Sequence, residues 1–484
     1  MEVTIQAKIK DKKSAMSLEK LCDFIGSLRG KLLKELLNGK SEKELKKDYI
    51  REHGLLARQF NSLATEVKGL ISGTKELRKA DIKNKKAKLR TAKSQIKKLQ
   101  TKLVNLENNK KKSQEEKGKE RKKIKFMLHQ KKRRQAILEN KLEKLAEKKL
   151  SICLGSKKRF LAQFNLSQNG YQDHKDWRED WRKSRNNRVF YIGSKDENFG
   201  NQNCQLLGKK LQVRIPRQLE DKIGKYIEVP VDFAYGEEII ANALNNKQAI
   251  SFRFLRKDKN WYVFLTTKRP IVKIKTRKNL GVIGVDVNKA HLAWAETNRH
   301  GNIVAYGKEQ TPIQDRRSEQ VSATLGDAIK SIVEYAKKQG KPIAIEKLDF
   351  RNKKNSFEKN SRRYRRMLSN FAYSKFANMI YSKAYREGVE LIYVRPEFSS
   401  IIGRYKFSRM YGISTHVAAS FVLARRAQRF AEALPSKSAQ FLAVHRNWHV
   451  WRKWRALAKT VSNRDKRVEL EPRLFAFRKK LPPG

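Results

Sequence analysis

Leu280-Gly281-Val282-Ile283-Gly284-Val285-Asp286-Val287-Asn288 is an apolar run that ends in a single acid, and Pro342-Ile343-Ala344-Ile345-Glu346 repeats the design further along the chain. Each reads as a buried strand terminating in one carboxylate. Between them, Leu292-Ala293-Trp294-Ala295 and, past His300-Gly301-Asn302, Ile303-Val304-Ala305 supply two more strands, so three antiparallel strands are expected with Asp286 at the end of the first. Val321, Leu325, Ile329, Ile332, Val333 and Tyr335 then recur at helical spacing within Glu319–Gln339.

A β-β-β-α-β order with acids on the first and fourth strands is that of an RNase H-like sheet, and it sets Asp286 and Glu346 side by side. Such a pair suits phosphodiester hydrolysis with two metals. Hard oxygen ligands hold Mg²⁺ or Mn²⁺, one ion activating water and the other stabilising the leaving oxygen.

The surrounding chain has 484 residues and carries 112 Lys plus Arg against 49 Asp plus Glu, a formal net charge of +63. That imbalance excludes an ordinary enzyme of small metabolites. Hydrophobic residues are 39% and aromatics 9%, enough for packed cores, so the charge does not mark a fully disordered chain. A polyanion is the expected partner, because condensing Lys and Arg onto phosphates relieves their mutual repulsion. Cys22, Cys153 and Cys204 are far apart, with no C-x-x-C pair, which argues against a disulfide framework and a four-cysteine zinc site. No apolar run approaches the roughly 18 to 20 residues that span a bilayer, and Met1-Glu2-Val3-Thr4-Ile5-Gln6-Ala7-Lys8 has no apolar stretch after a basic start, so secretion by a classical signal is not expected. A soluble cytoplasmic protein, associated with the nucleoid when bound to DNA, is expected.

Residues 2 to 10 alternate apolar and polar side chains as a strand does, and from Ala15 to Lys149 there is no proline. Leu89, Ile96, Leu99, Leu103 and Leu106 form a narrow seam, and Ile124, Leu128, Leu138, Leu142 and Leu145 form another beyond a polar break, which predicts an antiparallel helical hairpin. Residues 81 to 150 hold 26 Lys or Arg against 8 Asp or Glu, a net of +18. A solvated coiled coil mixes both signs, so this excess favours an arm that grips a nucleic-acid backbone. Short β-like runs follow, at Ser151–Leu154, Val189–Ile192, Leu211–Ile215, Tyr226–Phe233, Ala249–Phe254 and Trp261–Thr266, and Lys268–Lys278 connects them to the last domain. Trp177, Trp181, Phe190 and Tyr191 are interleaved with Arg178, Arg182, Lys183, Arg185 and Arg188, the mixture that stacks bases and pairs phosphates, although Phe190 is expected in the core.

Gly284-Val285-Asp286-Val287-Asn288, Ile345-Glu346-Lys347-Leu348-Asp349-Phe350 and Val394-Arg395-Pro396-Glu397-Phe398-Ser399-Ser400 resemble, in turn, the RuvC-I motif, the RuvC-II motif and the approach to the third motif of TnpB proteins and type V CRISPR effectors. The layout is similar over nearly the whole chain, whereas the specific motifs lie between Gly281 and about Arg426. The resemblance implies a multidomain α+β fold: residues 1–14 as the first strand of a wedge-type β-barrel, 15–150 as a helical recognition domain, 151–278 as the rest of the barrel, and 279–484 as a RuvC-like nuclease domain. It further implies a monomeric ribonucleoprotein that is an RNA-guided DNA endonuclease. A structured guide RNA pairs with the target strand, and the protein reads a short motif flanking it in double-stranded DNA.

Two departures stand out. Where many TnpB proteins place a four-cysteine zinc ribbon, this chain runs Ser399-Ser400-Ile401-Ile402-Gly403-Arg404-Tyr405-Lys406-Phe407, so no zinc is expected. Where the family's third catalytic Asp is usual, Gly412-Ile413-Ser414-Thr415-His416-Val417-Ala418-Ala419-Ser420 holds no carboxylate. Ser414 suits a helix N-cap. His416 has two open roles, a metal ligand or general base, as RuvC-like sites use histidine there, or a polar residue of the first helical turn. Glu397 is a second candidate, from its strand end, and Asp349 is a turn acid or a ligand to an outer water.

The expected catalytic and metal-binding set is therefore Asp286, Glu346 and His416, with Mg²⁺ or Mn²⁺ as cofactor. Lys353, Lys354, Arg362, Arg363, Arg365 and Arg366, with Arg425 and Arg426, are expected to line the path of the RNA–DNA duplex, and Arg178, Arg182, Arg185 and Arg188 upstream are expected to pair nucleic-acid phosphates. His445 and His449 lie four apart but have no acid or cysteine nearby, so packing or RNA stacking is expected of that aromatic segment. The missing third carboxylate also fits a nuclease-inactive RNA-guided DNA-binding protein, a repressor or targeting subunit. A structural RNA-binding protein is a third class, and the strand-terminal acids speak against it.

Overall fold

In a computed structural model that describes residues 1–108, 113–258, 260–288, 290–312, 316–347, 373–441 and 447–462, the alternating N-terminal segment builds strand β1 (Glu2–Ile9), with Ile5, Ala7 and Ile9 turned inward. The chain divides into two units, Met1–Ile271 and Val272–Gly484.

In the first unit β1 pairs antiparallel with β7 (Asn260–Lys268), β7 with β6 (Ser251–Lys257), and β6 with β2 (Arg188–Tyr191). A second sheet joins β3 (Cys204–Leu207), β4 (Lys210–Arg214) and β5 (Tyr226–Pro230). Both sheets share one core with α1 (Lys12–Leu37), α2 (Glu42–His53) and the start of α3 (Ala57–Glu107). The expected barrel does not close. Among the described residues no ladder joins β2 to β1, since β2 has only 4 residues against the 8 of β1 and the chain then leaves the sheet. Ser151–Leu154, expected as a strand, is irregular: Ile152 and Leu154 pack on the core without pairing, and Gly155 turns the chain at φ +87°.

The helical hairpin forms as expected, from α3 and α4 (Gln114–Glu147). Ion pairs Lys93–Glu139, Lys102–Glu120 and Glu107–Arg121 run antiparallel across it, and Ala92, Ile96, Leu106, Ile124 and Leu138 bury its seam. These residues lie outside the main core, so the arm's apolar support is this narrow stripe, flanked by the cross-helix ion pairs.

In the second unit β8 (Ile283–Val287), β9 (His291–Thr297) and β10 (Ile303–Gln310) run antiparallel, then the Ser318–Gln339 helix leads to β11 (Ile343–Glu346), in the expected β-β-β-α-β order. β11 pairs parallel with β8 and with β12 (Leu391–Val394), giving the order β10-β9-β8-β11-β12. Ile283, Val285, Leu292, Ile343 and Ile345 face the Ser318–Gln339 and Tyr373–Glu387 helices. On the other face lies the Thr415–Ala427 helix, over Ala293, Ala295 and Ala344. Glu296 staples the layers: it accepts from Tyr335 Oη and Lys341 Nζ, both at 2.5 Å, and its side chain is only 3% exposed.

Gly284 sets the depth of the second layer, because a Cβ there would overlap the Ser420 carbonyl oxygen. Gly284→Ala is therefore expected to lower unfolding stability by about 3 kcal/mol through overpacking, read as a fall in urea midpoint, whereas an unchanged midpoint would mean the helix does not pack this closely. Lys341→Met, which leaves the buried Glu296 carboxylate with the Tyr335 hydroxyl but no counter-charge, is expected to cost about 3–5 kcal/mol in the same measurement.

Candidate active site

Strand parity decides which side chains meet. In the parallel ladder Ile343 stands opposite Ile283, Ala344 opposite Gly284 and Ile345 opposite Val285, so the next step brings Glu346 level with Asp286. Neighbouring strands lie about 4.8 Å apart, and residues two apart share a face. Asp286 thus lies on the face of Gly284, and Glu346 on the face of Ala344, both toward the Thr415–Ala427 helix.

That helix begins where Ser414 accepts the Val417 backbone N–H at 3.4 Å, the N-cap expected of it. In its first turn His416, half exposed, places Nδ1 at 3.3 Å from Asp286 Oδ2, while Asp286 itself is only 8% exposed. The same oxygen accepts from Asn288 Nδ2 at 3.0 Å. Glu346 accepts at 2.7 Å from the hydroxyl of Ser399, whose oxygen also lies 3.0 Å from Pro396 O. Phe398 takes a left-handed φ of +61°, uncommon for a bulky residue, at the turn that delivers Ser399.

His291 opens β9, and its ring meets that of His416 edge-on at a centroid distance of 5.2 Å. Burial, the neighbouring His416 and then Lys308 lower its pKa below the ordinary 6.5, against a smaller opposing pull from Asp286.

Two carboxylates and an imidazole on one face are suitable donors for a divalent cation. The 3.3 Å between Asp286 and His416 is close to the roughly 3 Å that separates adjacent ligands of one ion with bonds of about 2.1 Å. Among the described residues no three His, Cys, Asp or Glu side chains converge as they stand, so the fit is made pair by pair.

The other expected residues fall differently. Glu397 is exposed, and its backbone carbonyl accepts from Arg426 Nη2 at 3.0 Å. Arg426 also donates to Arg395 O and stacks on Trp451, and burial lowers its pKa while the Glu397, Glu346 and Glu432 carboxylates oppose that shift. Arg425 donates to Glu432 and Gly301 O. Both guanidinium groups are thus engaged within the protein. In the first unit Arg178 and Arg182 are exposed, whereas Arg188 pairs with Glu66 at 2.6 Å, beside buried Arg29. Trp177 is buried and donates to Arg159 O; Tyr191 is buried and Phe190 only partly so, the reverse of the expected order, because Val189 and Tyr191 take the inward positions of β2. Asp349, Lys353, Lys354, Arg362, Arg363, Arg365, Arg366 and His445 lie outside the described residues.

Sequence reading missed Ser399, Asn288 and His291. The period-two count along β9 was the available signal for His291, since it shares parity with Ala293, the register partner of Asp286.

No family model matches the chain, and no curated protein matches it. Among solved structures, 88% of the chain aligns with 98% of a chain from a CRISPR-Cas12f ternary complex, at 12% identity and a TM-score of 0.20. Another alignment covers 89% of the chain and 54% of a chain from a Cas12i1 R-loop complex after target DNA cleavage, at 11% identity and a TM-score of 0.20. No helix among the described residues is long and apolar enough to cross a membrane.

The electrostatics of the site are open to direct titration. Histidine-selective NMR is expected to show His291 protonating only below pH 6.5, with Lys308→Ala moving its pKa upward; a value at or above 6.5 would contradict the burial and neighbouring charge described for it.

Proposed function

We propose that the chain is an RNA-guided DNA endonuclease whose RNase H-like, RuvC-type sheet carries Asp286 and Glu346 as the metal-binding carboxylates, with His416 completing the set. The observation that carries this reading is the parallel register of β8 and β11, which brings both acids to one face beneath the helix bearing His416. Mg²⁺ or Mn²⁺ at these donors would supply an activated water and a counter-charge for the leaving oxygen. The chain's own residues do the positioning. Ser399 orients the Glu346 carboxylate, Asn288 orients that of Asp286, and Gly284 admits the helix that sets His416 against it. A net charge of +63, partly on a helical arm, supports a long nucleic acid as the partner, and the reading assigns it to a guide RNA with its scaffold.

A second reading has its own observation. His416 is hydrogen-bonded to Asp286 and, among the described residues, no three donors converge, which also fits an RNA-guided DNA-binding protein that no longer cuts.

Co-expression with the noncoding DNA beside the gene, isolation of bound RNA, and incubation with a plasmid library carrying the matching target beside randomised flanks separate the two. The nuclease reading expects cutting with Mg²⁺ or Mn²⁺, none with EDTA, and loss to background in Asp286→Ala and Glu346→Ala while RNA binding persists. Binding without cutting would support the second reading, and the absence of a discrete RNA would overturn both.

A further inference from the structure

The β8–β9 hairpin brings a second imidazole to this face. Leu292 points toward the Ser318–Gln339 helix and Ala293 toward the Thr415–Ala427 helix, so His291 lies with Asp286 on the latter side. Its backbone carbonyl accepts from Asn288 N at 3.0 Å, and the side chain of that same Asn288 holds Asp286. Its ring abuts His416 at 5.2 Å, near perpendicular at 74°. The Nε2 atom of His291 is buried and has no hydrogen-bond partner among the described residues. A buried polar atom without a partner is destabilising, and coordination to an ion would satisfy it.

Resting on the metal-site reading above, we propose that His291 Nε2 is a further ligand of the cation held by Asp286 and His416, and that this site selects Mn²⁺ over Mg²⁺. The reason lies in the donors. Mg²⁺ prefers oxygen, demands near-ideal octahedral geometry and gives up its waters reluctantly. Imidazole nitrogen suits later first-row ions such as Fe²⁺ and Zn²⁺ best, but of the two ions at issue Mn²⁺, itself a first-row transition ion, accepts nitrogen more readily than Mg²⁺. With the His416 and His291 imidazoles beside the Asp286 carboxylate, the set mixes nitrogen with oxygen and carries less negative charge than an all-carboxylate set, which would favour a hard, strongly hydrated ion.

The test uses the full chain with its co-purified RNA, and Mn²⁺ alone as the probe. Continuous-wave electron paramagnetic resonance measures Mn²⁺ binding, and pulsed measurements read nitrogen coupling from directly bound imidazole, assigned by ¹⁵N-histidine labelling. The expected result is bound Mn²⁺ with histidine nitrogen coupling, little displaced by a tenfold excess of Mg²⁺. His291→Ala should weaken Mn²⁺ binding about 10-fold or more and reduce the nitrogen coupling, leaving the part due to His416. His291→Gln, which keeps a polar side chain of similar size, should do the same and serves if the alanine variant fails to fold. Mn²⁺ bound without nitrogen coupling, or with coupling unchanged in a folded His291 variant, would overturn the inference while leaving the carboxylate site standing. Failure to bind Mn²⁺ at all would remove both.

Discussion

The parallel pairing of β11 with β8 is the constraint on which the candidate site depends. A shift of one residue in that ladder would turn Glu346 toward the apolar layer of Leu325, Ile329 and Phe376 and leave Asp286 alone. The register is held from both faces. Ile283, Val285, Ile343 and Ile345 are buried against two helices, while Gly284 and Ala344 admit a third at close range. The same small residues that let the Thr415–Ala427 helix sink onto the sheet bring His416 within reach of Asp286. Chemistry and packing are therefore coupled: a larger side chain at Gly284 would lift the helix and part the imidazole from the acid.

Charge is organised differently in different parts of the chain. On the α3–α4 hairpin, cross-helix pairs neutralise some of the lysines but leave a strong excess along a thin apolar seam. Near the candidate site, by contrast, Arg425 and Arg426 make contacts that tie helix and loops together. Counting basic residues cannot separate these uses. A guanidinium bound to a backbone carbonyl and one facing solvent contribute equally to +63, but only the second is available to a phosphate without breaking a contact.

Much of this organisation was legible in the sequence. Each strand-terminal acid followed a continuous apolar run, the signal of a strand buried on both faces, and the hairpin declared itself through two matched leucine seams. What could not be read depended on where strands stop and which way they face. Barrel closure is decided by ladders between distant segments, and four-residue β2 gives little warning that none forms with β1. The inversion of Phe190 and Tyr191 is a shift of one position in a short strand, where both parities look alike. Ser399 approaches Glu346 only through the turn at Phe398, a contact set by tertiary folding that leaves no periodic mark.

The central claim is that Asp286 and Glu346 together hold the ions that make this sheet a nuclease centre. Anomalous diffraction from crystals of the chain, its co-purified RNA and a matching DNA, grown with Mn²⁺, tests it most directly. The account predicts an anomalous peak within ligating distance, about 2.0–2.3 Å, of both carboxylates. Ordered carboxylates with no peak beside them, or a Glu346 side chain turned away from Asp286, would contradict it.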